Sequence, residues 1–145
     1  MVMVLAVPEG AFANSSGKTG SSSSGCGGCH GGANTMTPTL TTDIPSSGYT
    51  PGAVYSLTIG GTGGVSGTNG GFNLDSSSGT FSNPGTNAQI VSGEVTHSNS
   101  NARTWTVDWT APSTGTGDVT FLLAVNFANG NGAVSYTHLT LPTKA

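Results

Sequence analysis

The sequence has few charged side chains and almost no basic ones. Charged residues make up 6% of its 145 residues, and its three basic side chains are Lys18, Arg103 and Lys144. Nucleic acids and anionic membrane surfaces are bound by clusters of basic residues, so this composition excludes both as partners. No apolar stretch reaches the length of a membrane span. We therefore expect neither nucleic-acid binding nor insertion of this chain into a membrane.

Catalytic signatures are also missing from the sequence. It contains no GxSxG and no HExxH motif, and it places no nucleophile beside a base. Its 6 carboxylates are dispersed along the chain, which gives no obvious pair for acid–base chemistry. We expect that the protein is not an enzyme.

Helical periodicity is absent, and strand-like alternation takes its place. Trp105, Val107 and Trp109 alternate with polar residues, and residues 119–128 repeat the pattern. We interpret these apolar side chains as core, with packing against a cofactor as the alternative for the tryptophans. Further strands are predicted at residues 35–42, 53–59, 72–74 and 89–96. About seven strands in about 100 residues predict an all-β, immunoglobulin-like β-sandwich with an irregular N-terminal loop.

Cysteine is scarce, and both cysteines belong to one motif. Cys26 and Cys29 with His30 spell CxxCH, the attachment sequence of c-type haem. The two thiols can form thioethers to one porphyrin, and the imidazole then reaches the iron from one face. A zinc site would need a fourth ligand from elsewhere, and a thioredoxin-like site would need a βαβ context. We expect one covalent haem c per chain, with a redox disulfide or a metal clip as the alternative.

The second axial ligand of the iron would decide what such a haem does. His97 is the predicted ligand opposite His30, because it ends a predicted strand beside a polar turn; an exposed turn histidine is the alternative. Met36 follows His30 too closely to reach across the macrocycle, and His138 is the weaker histidine candidate. Two histidine ligands would favour electron transfer, whereas an open face would favour gas or peroxide chemistry.

The two ends of the chain are predicted to lie outside the natural mature domain. Residues 1–13 end in Ala11-Phe12-Ala13, an A-x-A cleavage signature, and are predicted to be a signal peptide remnant. Residues 14–34 form a Gly/Ser-rich lead-in without hydrophobic anchors that carries the CxxCH loop, and residues 35–132 form the sandwich. We expect the lead-in to be mobile unless the haem orders it. Residues 135–143 match the translation of a transposase adaptor used in DNA library preparation, so residues 133–145 are predicted to be a non-native tail; a genuine β-tail is the alternative.

Several short motifs follow one another in an order that resembles a known family. They are Gly17-Lys-Thr-Gly20, the CxxCH region, Tyr49-x-Pro-Gly52, Gly71-Phe72, Thr96-His97, Trp105-x-x-x-Trp109-Thr-Ala-Pro112, Gly117-x-Val-Thr-Phe121 and Ala128-Asn-Gly130. Their succession over about residues 17–132 resembles the reelin-like (Reeler) domains of secreted bacterial proteins, often grouped as choice-of-anchor V domains. The resemblance implies an exported β-sandwich, frequently joined to a C-terminal anchoring segment.

Together these observations predict a secreted or surface-exposed haem protein located outside the cytoplasm. Its expected role is electron transfer, with a redox partner protein or a neighbouring haem protein as partner, and self-association is left open. The alternative is a cell-surface adhesion or interaction module in which the haem is structural. In the first case loss of the haem would abolish electron transfer, and in the second it would cost stability alone.

Overall fold

Strands account for most of the described chain, as the alternation predicts. The computed structural model describes residues 14–23, 36–129 and 134–143. Its strands are β1 (Met36–Thr42), β2 (Val54–Gly63), β3 (Asn69–Ser76), β4 (Thr80–Ser82), β5 (Ala88–Val91), β6 (Glu94–His97), β7 (Trp105–Thr110), β8 (Val119–Ala128) and β9 (Val134–Thr143). These described residues contain no helix, and hence none long and apolar enough to cross a membrane. The all-β prediction is confirmed.

The strands form two antiparallel sheets whose inner faces share one core. One sheet has four strands in the order β1-β2-β7-β4, and the other has five in the order β5-β6-β3-β8-β9. Each pair of neighbouring strands is antiparallel. Buried apolar side chains from both sheets form a single cluster. This arrangement is the predicted β-sandwich.

The core follows the alternation of β7 and β8. Trp105, Val107 and Trp109 on β7 are buried, and so are the residues of β8 that alternate from Val119 to Phe127. The Trp109 ring packs edge-on against Phe121, with ring centroids 5.0 Å apart. Aromatic pairs of this geometry stabilise a core beyond their burial alone. The prediction that these side chains face inward is confirmed.

Threonines line the outer face of the four-stranded sheet. Thr41, Thr58 and Thr106 are register partners across β1, β2 and β7. They lie at positions that alternate with the core residues of their strands, so their side chains are outside. The β-branched threonine side chain suits such a half-buried pleated surface, which explains why so polar a sequence still forms strands.

Two details of the strand prediction are wrong. Residues 89–96, predicted as one strand, are divided between β5 and β6. The turn between them places Ser92 at φ 53° and Gly93 at φ 85°, the left-handed region that a two-residue hairpin turn requires. The strands predicted at residues 53–59 and 72–74 are longer, because β2 continues to Gly63 and β3 spans Asn69–Ser76. Glycine residues do not prevent strand pairing where a neighbouring strand provides the backbone hydrogen-bond partners.

The last strand, β9, falls on the segment that the sequence sets apart. It pairs with β8 along its whole length, from Val134 opposite Ala128 to Thr143 opposite Val119. His138, the weaker candidate ligand, lies opposite Ala124 on this strand. The non-native origin of residues 133–145 stays a prediction.

Candidate functional site

The cysteine motif joins two described parts of the chain. Cys26, Cys29 and His30 themselves lie outside the described residues, between Ser23 and Met36. Cys26 is three residues from Ser23, and His30 is six residues from Met36, so chain length alone keeps them within about 11 Å and about 21 Å of those positions. The site is therefore defined by where residues 14–23 and Met36 lie on the sandwich.

Residues 14–23, which we call the strap, lie across β6 and β3. A turn opens the strap, with the Gly17 N–H donating to the Asn14 carbonyl oxygen. The bonds to the sandwich are Gln89 Nε2 to Ser16 O (2.6 Å), Lys18 N to Thr96 Oγ1 (3.1 Å), Gly20 N to Glu94 Oε2 (3.0 Å) and Ser21 N to Asn73 Oδ1 (2.8 Å). Polar contacts therefore attach this part of the predicted lead-in to the sandwich where hydrophobic anchors are lacking, and its mobility stays a prediction.

The strap covers the outer face of the five-stranded sheet. Phe72, Leu74 and Val95 face the core, so Asn73 and Thr96, which are register partners between β3 and β6, face outward. These two polar residues are nevertheless only 2% and 1% exposed. The Asn73 amide also donates to Glu94 Oε2 at 2.8 Å, which fixes the carboxylate that accepts the strap. Polar groups this buried are stable only when hydrogen-bonded, and the strap supplies part of that bonding.

His97 connects the strap to β3 through both of its ring nitrogens. The Phe72 N–H donates to Nδ1 at 3.1 Å, and Nε2 lies 2.9 Å from the carbonyl oxygen of Asn14. This pair of bonds fits the neutral tautomer that carries its proton on Nε2. The ring packs over Gly71, where a Cβ would lie 2.7 Å from His97 Cε1. The predicted ligand is thus a bridging histidine at the end of β6.

Gly17 allows the strap to approach the sheet this closely. Its φ is 97°, in the left-handed region that favours glycine. A Cβ there would collide with the His97 carbonyl oxygen and would lie 2.7 Å from Gln89 Nε2 and 2.8 Å from the Thr96 methyl group. Any larger side chain at this position must therefore displace the strap.

Met36 and His97 lie at the same end of the sandwich. Met36 is buried, and its side chain and that of Phe127 both lie close to Gly61. Phe127 is the register partner of Gly70. Gly70 precedes Gly71, the glycine that the His97 ring covers. Met36, which follows the undescribed segment, therefore lies at the same end of the sandwich as His97 and serves as a packing residue, while Ser21, close to the other end of that segment, bonds to Asn73.

Charge is sparse around this end of the sandwich. Arg103 donates through Nε to Asn69 O at 3.0 Å and through Nη2 to Ala128 O at 2.9 Å, and its guanidinium lies 4.4 Å from the centre of the Phe127 ring. Burial lowers the pKa of the Arg103 side chain from its usual value. The part of the chain that the structure describes holds no group of three His, Cys, Asp or Glu side chains that could bind a metal ion.

The residues that hold the strap were not found from the sequence. Asn73, Gln89 and Glu94 fall within predicted strands, and nothing in their spacing marks them as partners of residues 14–23. Thr96-His97 and Gly71-Phe72 stand out as motifs of the resemblance, and His97 also as a candidate iron ligand. The structure brings these two motifs together through the Thr96 Oγ1 bond to Phe72 O (2.8 Å) and the Phe72 N–H bond to His97.

Solved structures with a similar fold include domains of F-spondin. The Reelin-N domain of F-spondin superposes with a TM-score of 0.59 at 22% identity, covering 79% of this chain and 88% of that one. The human F-spondin reeler domain gives a TM-score of 0.58 at 21% identity, with 79% and 90% covered, and a second structure of it gives 0.51 at 21%, with 76% and 89% covered. At these identities the likeness establishes the fold alone.

The sequence itself identifies the family. A comparison with curated proteins finds no significant match. The sequence profile of the Reeler domain, however, matches residues 29–128, well over half of the 145 residues. This range runs from the second cysteine of the CxxCH motif to the end of β8. The chain therefore belongs to the Reeler domain family.

Proposed function

We propose that this protein is an exported interaction module of the Reeler class, whose N-terminal segment carries a covalent haem with a structural role. The observation that supports the interaction role is the family match over residues 29–128, because Reeler domains occur in extracellular proteins such as F-spondin. The predicted cleavage signature at residues 11–13 agrees with export. The module binds partners at the cell surface or outside the cell, and it performs no catalytic step.

The haem part of this proposal rests on the CxxCH motif. Cys26 and Cys29 would hold the porphyrin covalently, and His30 would bind its iron. A haem fixed in this way supplies a rigid cross-link for a segment that is rich in glycine and serine. By limiting the freedom of the unfolded chain, it would stabilise the domain much as a disulfide does. The haem iron is the one metal in this proposal.

The arrangement of His97 favours a structural haem over an electron carrier with two histidine ligands. Both ring nitrogens are hydrogen-bonded, one to Phe72 and the other to Asn14. Ligation of the iron by His97 through Nε2 would require Asn14 to move first.

Electron transfer outside the cytoplasm is the second candidate function, and the CxxCH motif favours it. In this case His30 and His97 would both bind the iron, and a redox partner protein or a neighbouring haem protein would exchange electrons with it. A redox disulfide or a metal clip between Cys26 and Cys29 is the remaining use of the motif. These three readings make different predictions for the same protein sample.

The test is an absorption spectrum of the protein exported in a host that has the cytochrome c maturation apparatus. Oxidised and dithionite-reduced spectra are recorded for the wild type, for the Cys26→Ala/Cys29→Ala double variant and for His97→Gln. Glutamine can still accept from Phe72 and donate to Asn14, so it preserves the strap better than alanine. We expect covalent haem in the wild type and in His97→Gln, with unchanged spectra, and a loss of thermal stability in the double variant.

Other outcomes would redirect the proposal. A low-spin reduced spectrum that becomes high-spin in His97→Gln would establish the two-histidine electron carrier. A colourless, folded wild type would remove the haem. The interaction role is tested separately with protein-coated beads, which we expect to bind the envelope of the producing cells or each other more than albumin-coated beads; equal binding would contradict it.

A further inference from the structure

The outer face of β3 and β6, together with Gln89 of β5, binds the backbone of the strap, and we call this surface the groove. Its side-chain oxygens Asn73 Oδ1, Glu94 Oε2 and Thr96 Oγ1 each accept a backbone N–H from the strap, and Gln89 Nε2 donates to a backbone carbonyl oxygen. None of these bonds involves a side chain of the strap. The groove therefore recognises, through side-chain hydrogen bonds, the course of a backbone that contains turns.

The groove is selective at one position of the bound segment. At Gly17 a side chain would meet His97, Gln89 and Thr96, and the backbone there has a positive φ. Glycine is the residue that tolerates both conditions. The other strap residues whose backbone contacts the groove are Ser16, Gly20 and Ser21, which are small, and Lys18, which is exposed. The segment that fits thus has the turns of the strap, mostly small side chains, and glycine at a fixed position.

We propose that this groove is a recognition site for a glycine-containing segment of a partner protein that follows the same backbone course, and that the strap is the chain's own occupant, which keeps the site closed. The strap is held by hydrogen bonds without apolar anchors, so it can leave without disturbing the core. Local opening of this kind is common for segments with few buried apolar contacts. Because the strap is tethered, it competes at a high effective concentration, and a partner binds well only when the strap is displaced.

Gly17→Val in the full-length exported protein tests the first half of the proposal. Valine at this position displaces the strap without altering any residue of the groove. Gly115→Val is the matched control, because its φ of 90° is also positive but a Cβ there meets nothing within 4 Å. Trypsin reports opening, since Lys18 lies in the strap and the chain has just two other basic residues, Arg103 and Lys144. We expect cleavage after Lys18 to be at least about tenfold faster in Gly17→Val than in the wild type or the control.

Peptide binding tests the second half. A fluorescein-labelled peptide with the sequence of residues 14–22 is titrated against each protein and followed by anisotropy. We expect it to bind Gly17→Val at least about tenfold more tightly than the wild type. A second peptide with valine in place of its first glycine should not bind. Ser21→Pro, which removes the N–H that Asn73 accepts, opens the strap by another route and should give the same result if Gly17→Val does not fold.

Two results would overturn the proposal. One is cleavage after Lys18 at the wild-type rate in both strap variants, which would mean that the strap is not held as described. The other is an opened protein that does not distinguish the two peptides. The proposal needs neither the haem nor the cysteine motif, so a colourless protein that passes these tests would reject the haem alone. A haem-loaded protein that fails them would reject the groove alone.

Discussion

Replacing Thr96 by valine removes one hydroxyl and leaves the shape of the side chain almost unchanged. Thr96 is 1% exposed, and its Oγ1 donates to the Phe72 carbonyl oxygen at 2.8 Å while accepting the Lys18 N–H at 3.1 Å. His97 Nδ1 lies 3.2 Å from the same carbonyl oxygen but accepts the Phe72 N–H, so it cannot donate to that oxygen at the same time. The Phe72 carbonyl would therefore lose its donor.

The expected cost of Thr96→Val follows from these partners. A buried carbonyl left without a donor costs about 1–3 kcal/mol. The Lys18 N–H also loses its acceptor in a partly buried bond, and because it belongs to an exposed residue of the strap we expect water to replace that acceptor at little cost. We expect the free energy of unfolding to fall by about 2 kcal/mol, which lowers the melting temperature by about 10 °C in a domain of this size. Thr96→Ser keeps the hydroxyl and should lose about half as much.

Urea denaturation followed by tryptophan fluorescence measures this effect, because Trp105 and Trp109 are both buried and become exposed on unfolding. The control is Thr41→Val, an exposed threonine on the outer face of β1, which should change stability by less than about 0.5 kcal/mol. The slope of the transition should stay the same in all variants. A Thr96→Val protein as stable as Thr41→Val would refute the assignment of this hydroxyl as a buried link between β6, β3 and the strap.

Two further substitutions test the core and the end of the sandwich. Trp109→Phe removes an indole N–H that donates to Ser78 O at 3.1 Å, whereas the indole N–H of Trp105 has no acceptor among the described residues. Trp109→Phe should therefore lower the free energy of unfolding by about 1 kcal/mol more than Trp105→Phe in the same urea assay. Equal losses would contradict this bonding. Arg103→Met keeps the apolar contact with Phe127 but removes both donors to backbone carbonyl oxygens. Thermal unfolding should therefore show that the free energy of unfolding falls by about 1–2 kcal/mol. A more stable variant would mean that these bonds contribute nothing.

The sandwich and its core were predictable because alternation depends on neighbouring residues alone. Trp105, Val107 and Trp109 could be assigned to one face without knowing what packs against them, and the structure confirms the assignment. The boundary between β5 and β6 was missed since Ser92 is not a residue that typically marks a left-handed turn. Local signals therefore gave the strands but not every turn.

The strap was unpredictable for a different physical reason. Its contacts join residues far apart in sequence, and each links a backbone N–H or carbonyl oxygen of the strap to a common polar side chain. No apolar residue in residues 14–23 signals burial, so composition indicated a flexible linker. The sequence marks His97 as a candidate iron ligand, and its hydrogen bonds to Phe72 and Asn14 are evident only once the fold brings β6, β3 and the strap together.

The long separation between the strap and its partners has a kinetic consequence. Its hydrogen bonds span 52 to 83 residues of sequence, so they can form only after β3, β5 and β6 have been synthesised and have paired. The part of the chain that is synthesised first would therefore dock last. We expect unfolding to begin there as well, with hydrogen exchange fastest at the strap amides.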